Sequence, residues 1–184
     1  MNRRNRVRTP IVVFLAIMVL PVLDAVADSA KEIDIRVAAA MERFSKEVDA
    51  GEQFLKSAEG VLIFPQVIKA GFGVGGAYGE GALLIDGATK AYYSTAAASI
   101  GFQIGAQTKT VILVFLQEDA LKKFRASDGW EVGVDGAVAL IEIGAGGSID
   151  TSNVTDPIVG FVLNNKGLMY NLTLEGSKMT KIDK

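Results

Sequence analysis

The pattern that most limits the fold begins at Gly60 and, apart from one helical segment, continues to Ile182. Short runs of valine, isoleucine, phenylalanine and tyrosine are separated by glycines, which is typical of strands joined by tight turns and bulges. Consecutive strands without intervening helices favour an antiparallel sheet over βαβ units. The dipeptide Asp86-Gly87 predicts a hairpin turn. The predicted strands are residues 61–64, 71–78, 81–85, 91–97, 100–107, 110–115, 130–134, 137–143, 158–164, 168–174 and 178–182. A sheet of about ten strands is expected to curl, with a barrel as its closed form.

Helical patterns precede and interrupt these strands. An apolar residue recurs every three or four positions over residues 29–49, the period of one helical face, at Ile33, Val37, Met41, Phe44 and Val48. Ser29 with Glu32 three positions later predicts a capping box at the start of this helix. Shorter helices are predicted over residues 51–59 and 117–127. The expected fold class is α+β: a curled, mostly antiparallel sheet with an N-terminal amphipathic helix and one or two further helices.

The first 27 residues have the order of a secretory signal peptide. Arginines precede an apolar run over residues 11–23, and the small-x-small tripeptide Ala25-Val26-Ala27 follows it. Only 15 residues separate Arg8 from Asp24, which disfavours a transmembrane anchor because crossing a bilayer takes about 20. We expect cleavage after Ala27, a single domain over residues 28–184, and export to the periplasm or cell envelope.

Composition excludes several function classes. The chain has no histidine and no cysteine, which removes histidine-based triads, cysteine nucleophiles and zinc sites built from these residues. Residues 28–184 carry 15 basic and 20 acidic side chains, whereas a nucleic-acid partner would require a basic stripe. We therefore predict no nucleic-acid partner, no metal and no cofactor.

Two motifs invite a catalytic or cofactor interpretation. Residues 71–76 match GxGxxG, but a dinucleotide site needs a helix to begin at those glycines, and here another strand follows. Close approach of a neighbouring backbone is the favoured interpretation. Paired carboxylates would support a hydrolase, although no spacing singles out a pair. The candidates are Glu80, Asp128, Glu131, Asp135 and Glu142.

The amphipathic helix allows two interpretations. Its apolar stripe either docks on the sheet as core or enters a lipid interface while basic residues beside it contact head-group phosphates. Burial at about 25 cal/mol per Å² of apolar surface would favour either arrangement, so both stay open at this point.

Several blocks of the sequence resemble one family. They are residues 60–76 (GVLIFPQVIKAGFGVGG), 92–96 (YYSTA), 129–133 (GWEVG), 160–161 (GF) and 167–169 (GLM). Together they are similar to the SYLF family, also called the Ysc84-like domain, over about residues 30–184. The resemblance implies a non-enzymatic lipid-binding module. Eukaryotic members bind phosphoinositides partly through an N-terminal amphipathic helix, a yeast member also binds actin, and bacterial members are exported envelope proteins with phospholipid binding as the proposed role.

By this resemblance the partner is a phospholipid or membrane surface, and the binding residues fall on the first helix. The head-group positions would be Lys31, Arg36, Arg43 and Lys46, and the lipid-facing positions Ile33, Val37, Met41 and Phe44. Five acidic residues against four basic ones over residues 31–49 argue against strong selectivity for highly charged phosphoinositides. The alternatives are a structural or partner-binding envelope protein in which the helix is core, and a carboxylate-based hydrolase.

Overall fold

The structure is a computed structural model and describes residues 28–141, 155–164, 167–168, 174 and 176–184. The predicted signal peptide, Glu142 and most of the strand predicted at 168–174 lie outside these residues, and of the strand predicted at 137–143 the described residues form only the short strand Ala139–Leu140. In chain order the elements are α1 (Ala30–Glu47), α2 (Gly51–Lys56), β1 (Gly60–Ile85), β2 (Ala88–Phe115), α3 (Glu118–Ala126), β3 (Trp130–Glu131), β4 (Ala139–Leu140), β5 (Ile158–Asn164), β6 (Gly167–Leu168) and β7 (Lys178–Ile182).

The three helices lie where the sequence predicts them. Ser29 is the N-cap of α1: its hydroxyl accepts from the Glu32 amide, and the Glu32 carboxylate accepts from the Ser29 amide. This is the predicted capping box. Helix α3 has acidic residues in its first turn and Lys123 and Arg125 in its last, which suits the helix dipole.

The sheet is centred on the long hairpin of β1 and β2. Asp86 and Gly87, with φ of 52° and 72°, form its turn, so the predicted hairpin at this dipeptide is confirmed. On its other edge, β2 pairs antiparallel with β5 near one end and with β7 nearer the other. Among the described residues β4 and β5 form the parallel pair of an otherwise antiparallel seven-stranded sheet. The α+β class with a curled, mostly antiparallel sheet is confirmed.

The strand boundaries within this hairpin differ from prediction. The prediction that the first strand ends at Pro65 is wrong, because β1 continues through it to Ile85. The pairing with β2 shifts register between Phe64 and Val67, and such a bulge accommodates a residue that has no amide hydrogen to donate. The separately predicted strands over 91–115 are likewise one strand, β2.

Both faces of the hairpin are buried. Alternate residues of the run from Val61 to Phe64 belong to two different hydrophobic clusters, as the two-residue period of a strand requires. Val61 and Ile63 pack with α1 and α2, while Leu62 and Phe64 pack with α3 and the strand β7. Burial on both faces explains why these strands are continuous apolar runs rather than alternating ones.

The curl of the sheet brings distant parts of β1 together. A Cβ on Gly81 would lie 2.0 Å from the Ile63 carbonyl oxygen, and one on Gly79 would lie 2.6 Å from the Gln66 carbonyl oxygen. Backbone therefore lies against backbone here, with no room for a side chain. The close approach predicted for the GxGxxG stretch is not found at Gly76, where a Cβ would lie an ordinary 3.6 Å from the Ala97 carbonyl oxygen; it occurs at Gly79 and Gly81, beyond the stretch.

Replacing Gly81 with alanine should destabilise the protein by about 3 kcal/mol or more, because the added methyl group forces backbone to move. Gly76→Ala is the matched control, since its Cβ would meet the Ala97 carbonyl oxygen at an ordinary 3.6 Å. Its effect should stay within about 0.5 kcal/mol. Urea unfolding of both variants measures the difference, and equal midpoints would contradict the close approach.

Truncating Phe44 tests whether the apolar face of α1 is core. Phe44 is fully buried, with its ring centroid 4.7 Å from that of Phe161. Phe44→Ala should therefore lower the free energy of unfolding by about 3–5 kcal/mol. Ile35→Ala, on the exposed side of the same helix at 60% exposure, should change it by less than about 0.5 kcal/mol. A small effect of Phe44→Ala would show that this face is not packed.

Candidate functional site

A groove runs between α1 and the bulged part of the β1–β2 hairpin. Its volume of about 320 Å³ lies at the lower end of the range for small-ligand pockets. Three cationic side chains, three neutral polar ones and four small or apolar residues line it. They are Arg36, Arg43, Lys109, Gln66, Thr108, Thr110, Ala39, Ala40, Pro65 and Leu163.

Helix α1 contributes the two arginines. Arg36 and Arg43 are seven positions apart, so they share one side of the helix about 10.5 Å apart along its axis. Arg36 donates from Nη1 to Asp28 Oδ2 at 2.5 Å and to Gln66 Oε1 at 3.4 Å. Arg43 donates from Nε to Glu47 Oε2 at 2.9 Å. Ala39 and Ala40 lie between the arginines, and their small side chains leave the groove open.

The sheet contributes Lys109, next to the bulge at Pro65. Thr110 donates from its hydroxyl to the Pro65 carbonyl oxygen at 2.9 Å, which holds the bulge against β2. Lys109 is partly buried and has no ion-pair partner within the described part of the chain. Burial, and then the charge of nearby Lys69, lower the pKa of Lys109 below its usual range.

The groove carries an excess of positive charge. No aspartate or glutamate is among the described residues that line it. The carboxylates next to it, those of Asp28 and Glu47, each pair with one of the two arginines, whereas Lys109 has the like charge of Lys69 nearby. Such a site favours an anion, and guanidinium groups favour a planar or tetrahedral oxyanion in particular.

The predicted binding residues divide into three groups. Arg36 and Arg43 line the groove together. Lys31 is exposed and Lys46 pairs with Glu42 on the solvent side; neither lines it. The apolar positions Ile33, Val37 and Phe44 are buried core residues, and Met41 packs against that core while partly exposed. The structure thus supports the interpretation of the stripe as core, and a lipid contact by these residues stays a prediction.

Sequence reasoning missed the contribution of the sheet. Gln66, Thr108, Lys109 and Thr110 reach the groove only because β1 and β2 pair in this register. One signal was available, because residues 107–110 (QTKT) form a polar run between apolar stretches of the same strand. A lysine inside such a run is not expected on a strand buried on both faces.

Of the carboxylates considered for hydrolysis, Glu80, Asp128, Glu131 and Asp135 lie in the described part of the chain, and none of these four lines the groove. Glu80 pairs with Lys184, and Asp135 accepts the backbone amide of Glu131 at 2.7 Å. Among the residues that the structure describes, no group of three or more acidic side chains could hold a metal ion. Within that same part, no helix is long and apolar enough to cross a membrane.

Comparison with known proteins gives one family. The sequence model of Ysc84, described as "Las17-binding protein actin regulator", matches residues 96–184. This range includes Lys109, β5 and β7 and leaves α1 outside. No curated protein matches the chain. The matched segment agrees with the resemblance seen in the residues themselves: residues 96–184 are similar to the Ysc84 (SYLF) family.

Proposed function

We propose that this protein binds the head groups of acidic phospholipids in the groove beside α1, as a non-enzymatic module of an exported protein in the periplasm or cell envelope. The observation that carries the proposal is the convergence of Arg36, Arg43 and Lys109 on one groove whose described lining contains no carboxylate. Cations from a helix and a strand, brought together by the fold, are what a phosphate group requires.

The neutral lining of the groove fits the remainder of a head group. Thr108, Thr110 and Gln66 offer hydroxyl and amide groups for hydrogen bonds. Pro65 and Leu163 supply apolar surface next to the cations, against which the glycerol portion of a lipid can pack. A ligand with a phosphate at one end and hydrocarbon at the other matches this division.

An exposed apolar residue at the rim favours a membrane over a soluble phosphate compound. Ile68 is 47% exposed and is the cross-strand partner of Thr108 in the groove, so their side chains are neighbours. Ile35 is also exposed and precedes the groove residue Arg36. Apolar side chains beside cations are typical of surfaces that enter the interfacial region of a bilayer.

Neutralising Lys109 should weaken binding to acidic vesicles. One charge-assisted hydrogen bond contributes about 1.5–3 kcal/mol, so Lys109→Gln should reduce affinity about tenfold or more. Flotation with phosphatidylglycerol mixed into phosphatidylcholine measures this. Lys46→Gln removes the same charge from the solvent side of α1 and should cost less than about threefold, since exposed pairs contribute little. Equal losses for both variants would show that only bulk charge matters.

Binding should also depend on pH through Lys109. Because the pKa of Lys109 is lowered, its charge is lost at a lower pH than that of an ordinary lysine, whose pKa is about 10.4. Flotation should therefore decline as pH rises through that range, while the phosphodiester stays ionised. Lys109→Arg keeps its charge and should extend binding to higher pH. Identical profiles for the two proteins would contradict a role for Lys109.

A protein partner is the second candidate. The family description names Las17 binding and actin regulation, and the apolar stripe of α1 is occupied by core contacts. In an exported protein the partner would be another envelope component, because such a protein does not meet actin. Failure of the folded protein to float with any vesicle composition would favour this candidate. Lipid that copurifies in stoichiometric amount would favour the first.

A further inference from the structure

The backbone of Asp28 is held on both sides by residues from distant parts of the chain. Its amide nitrogen lies 3.2 Å from Glu80 Oε2, and its carbonyl oxygen accepts from Lys184 Nζ at 2.8 Å. Its side chain accepts from Arg36. Three contacts therefore fix the residue that directly follows the predicted cleavage site.

Glu80 and Lys184 form a buried ion pair. Glu80 Oε2 accepts from Lys184 Nζ at 2.7 Å, and the two side chains are 8% and 9% exposed. In every other ion pair within the described residues both side chains are at least 29% exposed. The hydroxyl of Tyr78 donates to the second Glu80 oxygen at 2.9 Å. A carboxylate shielded in this way interacts with nearby charge more strongly than a surface group does.

We propose that Glu80 is the binding site for the α-ammonium group that signal-peptide removal after Ala27 creates on Asp28. The proposal rests on the export part of the proposed function, because only cleavage turns this amide nitrogen into an amine. In the unprocessed chain Glu80 accepts a neutral amide hydrogen. In the processed chain the same atom carries a positive charge, so the contact with the carboxylate becomes an ion pair in which both the donor and the acceptor are charged.

The charged groups around the new amine have opposing effects on its protonation. The Glu80 carboxylate favours its protonated form, while Lys184 competes for the same oxygen and disfavours it. The Asp28 carboxylate is engaged by Arg36, and the Tyr78 hydroxyl is neutral at physiological pH because burial, with Glu80 nearby, raises the pKa of Tyr78 to about 12. Burial opposes ionisation of Glu80, but hydrogen bonds from Lys184 and Tyr78 outweigh it and keep the pKa of Glu80 lowered. The amine therefore meets an ionised partner at neutral pH.

Capture of the amine would fix the start of α1. Asp28 precedes the N-cap Ser29, and its carboxylate holds Arg36, which lines the groove. Processing would thereby connect the first residue of the exported chain to the strand β1 at Glu80 and to the end of the described chain at Lys184.

The experiment uses the full chain expressed with its own leader in a bacterium that exports it. Intact mass and N-terminal sequencing of the processed protein should give Asp28 as the first residue. The pKa of its α-amine is then followed by NMR after isotopic dimethylation, in the wild type, in Glu80→Gln and in Tyr78→Phe. Glu80→Gln should lower this pKa by about one unit, because a charged partner is lost, and Tyr78→Phe should leave it nearly unchanged.

Lys184→Gln is the second variant, for use if Glu80→Gln does not fold. It keeps the carboxylate and removes the competing ammonium group, so it should raise the pKa of the α-amine. A first residue other than Asp28, the absence of a processed chain, or an amine that responds to neither variant would overturn the proposal. Lipid flotation of the same preparations is a separate measurement, so failure of the head-group site and failure of amine capture are distinguishable.

Discussion

The bend in β1 depends on backbone lying directly against backbone, where Gly79 and Gly81 meet residues 63–67 of the same strand. Because no side chain fits there, the strand can fold back on itself while keeping its pairing with β2. Residues from the two ends of β1 then pack in the same hydrophobic cluster, as Ile63 and Ala82 do beneath α1. If the two parts of β1 were about 10 Å apart, as packed sheets usually are, they would not form one continuous surface for α1 to cover.

Helix α1 is held to this surface by contacts of two kinds, and both affect the groove. Aromatic packing of Phe44 on Phe161 anchors its C-terminal half. Near its start, Asp34 accepts from the hydroxyls of Thr89 and Tyr92 at 2.9 and 3.0 Å, which fixes the rotation of the helix about its axis. With that rotation fixed, the two arginines line the same groove as Lys109. Packing of the apolar stripe thus positions the arginines on the polar side of the same helix.

Features that depend on a few adjacent residues could be predicted from the sequence, whereas contacts between distant residues could not. The capping box at Ser29 and the turn at Asp86-Gly87 each depend on a few adjacent residues, and the structure confirms both. The continuity of β1 through Pro65 depends on a register shift against β2, which no local pattern encodes. The same holds for the candidate site. Helical spacing places Arg36 and Arg43 on one side of α1, but it does not predict that Lys109, 66 positions after Arg43, lies beside them.

Arg36 connects the groove to the buried cluster at the start of the folded chain. Its guanidinium is shared between the Asp28 carboxylate and Gln66, so an anion that enters the groove competes with Asp28 for it. A free amine on Asp28 would add one positive charge next to that carboxylate and weaken its hold on Arg36. The amine and the carboxylate belong to the same residue, so the distance between them is well below the screening length of about 8 Å at physiological ionic strength. The proposed removal of the leader would therefore make the groove more favourable to anions.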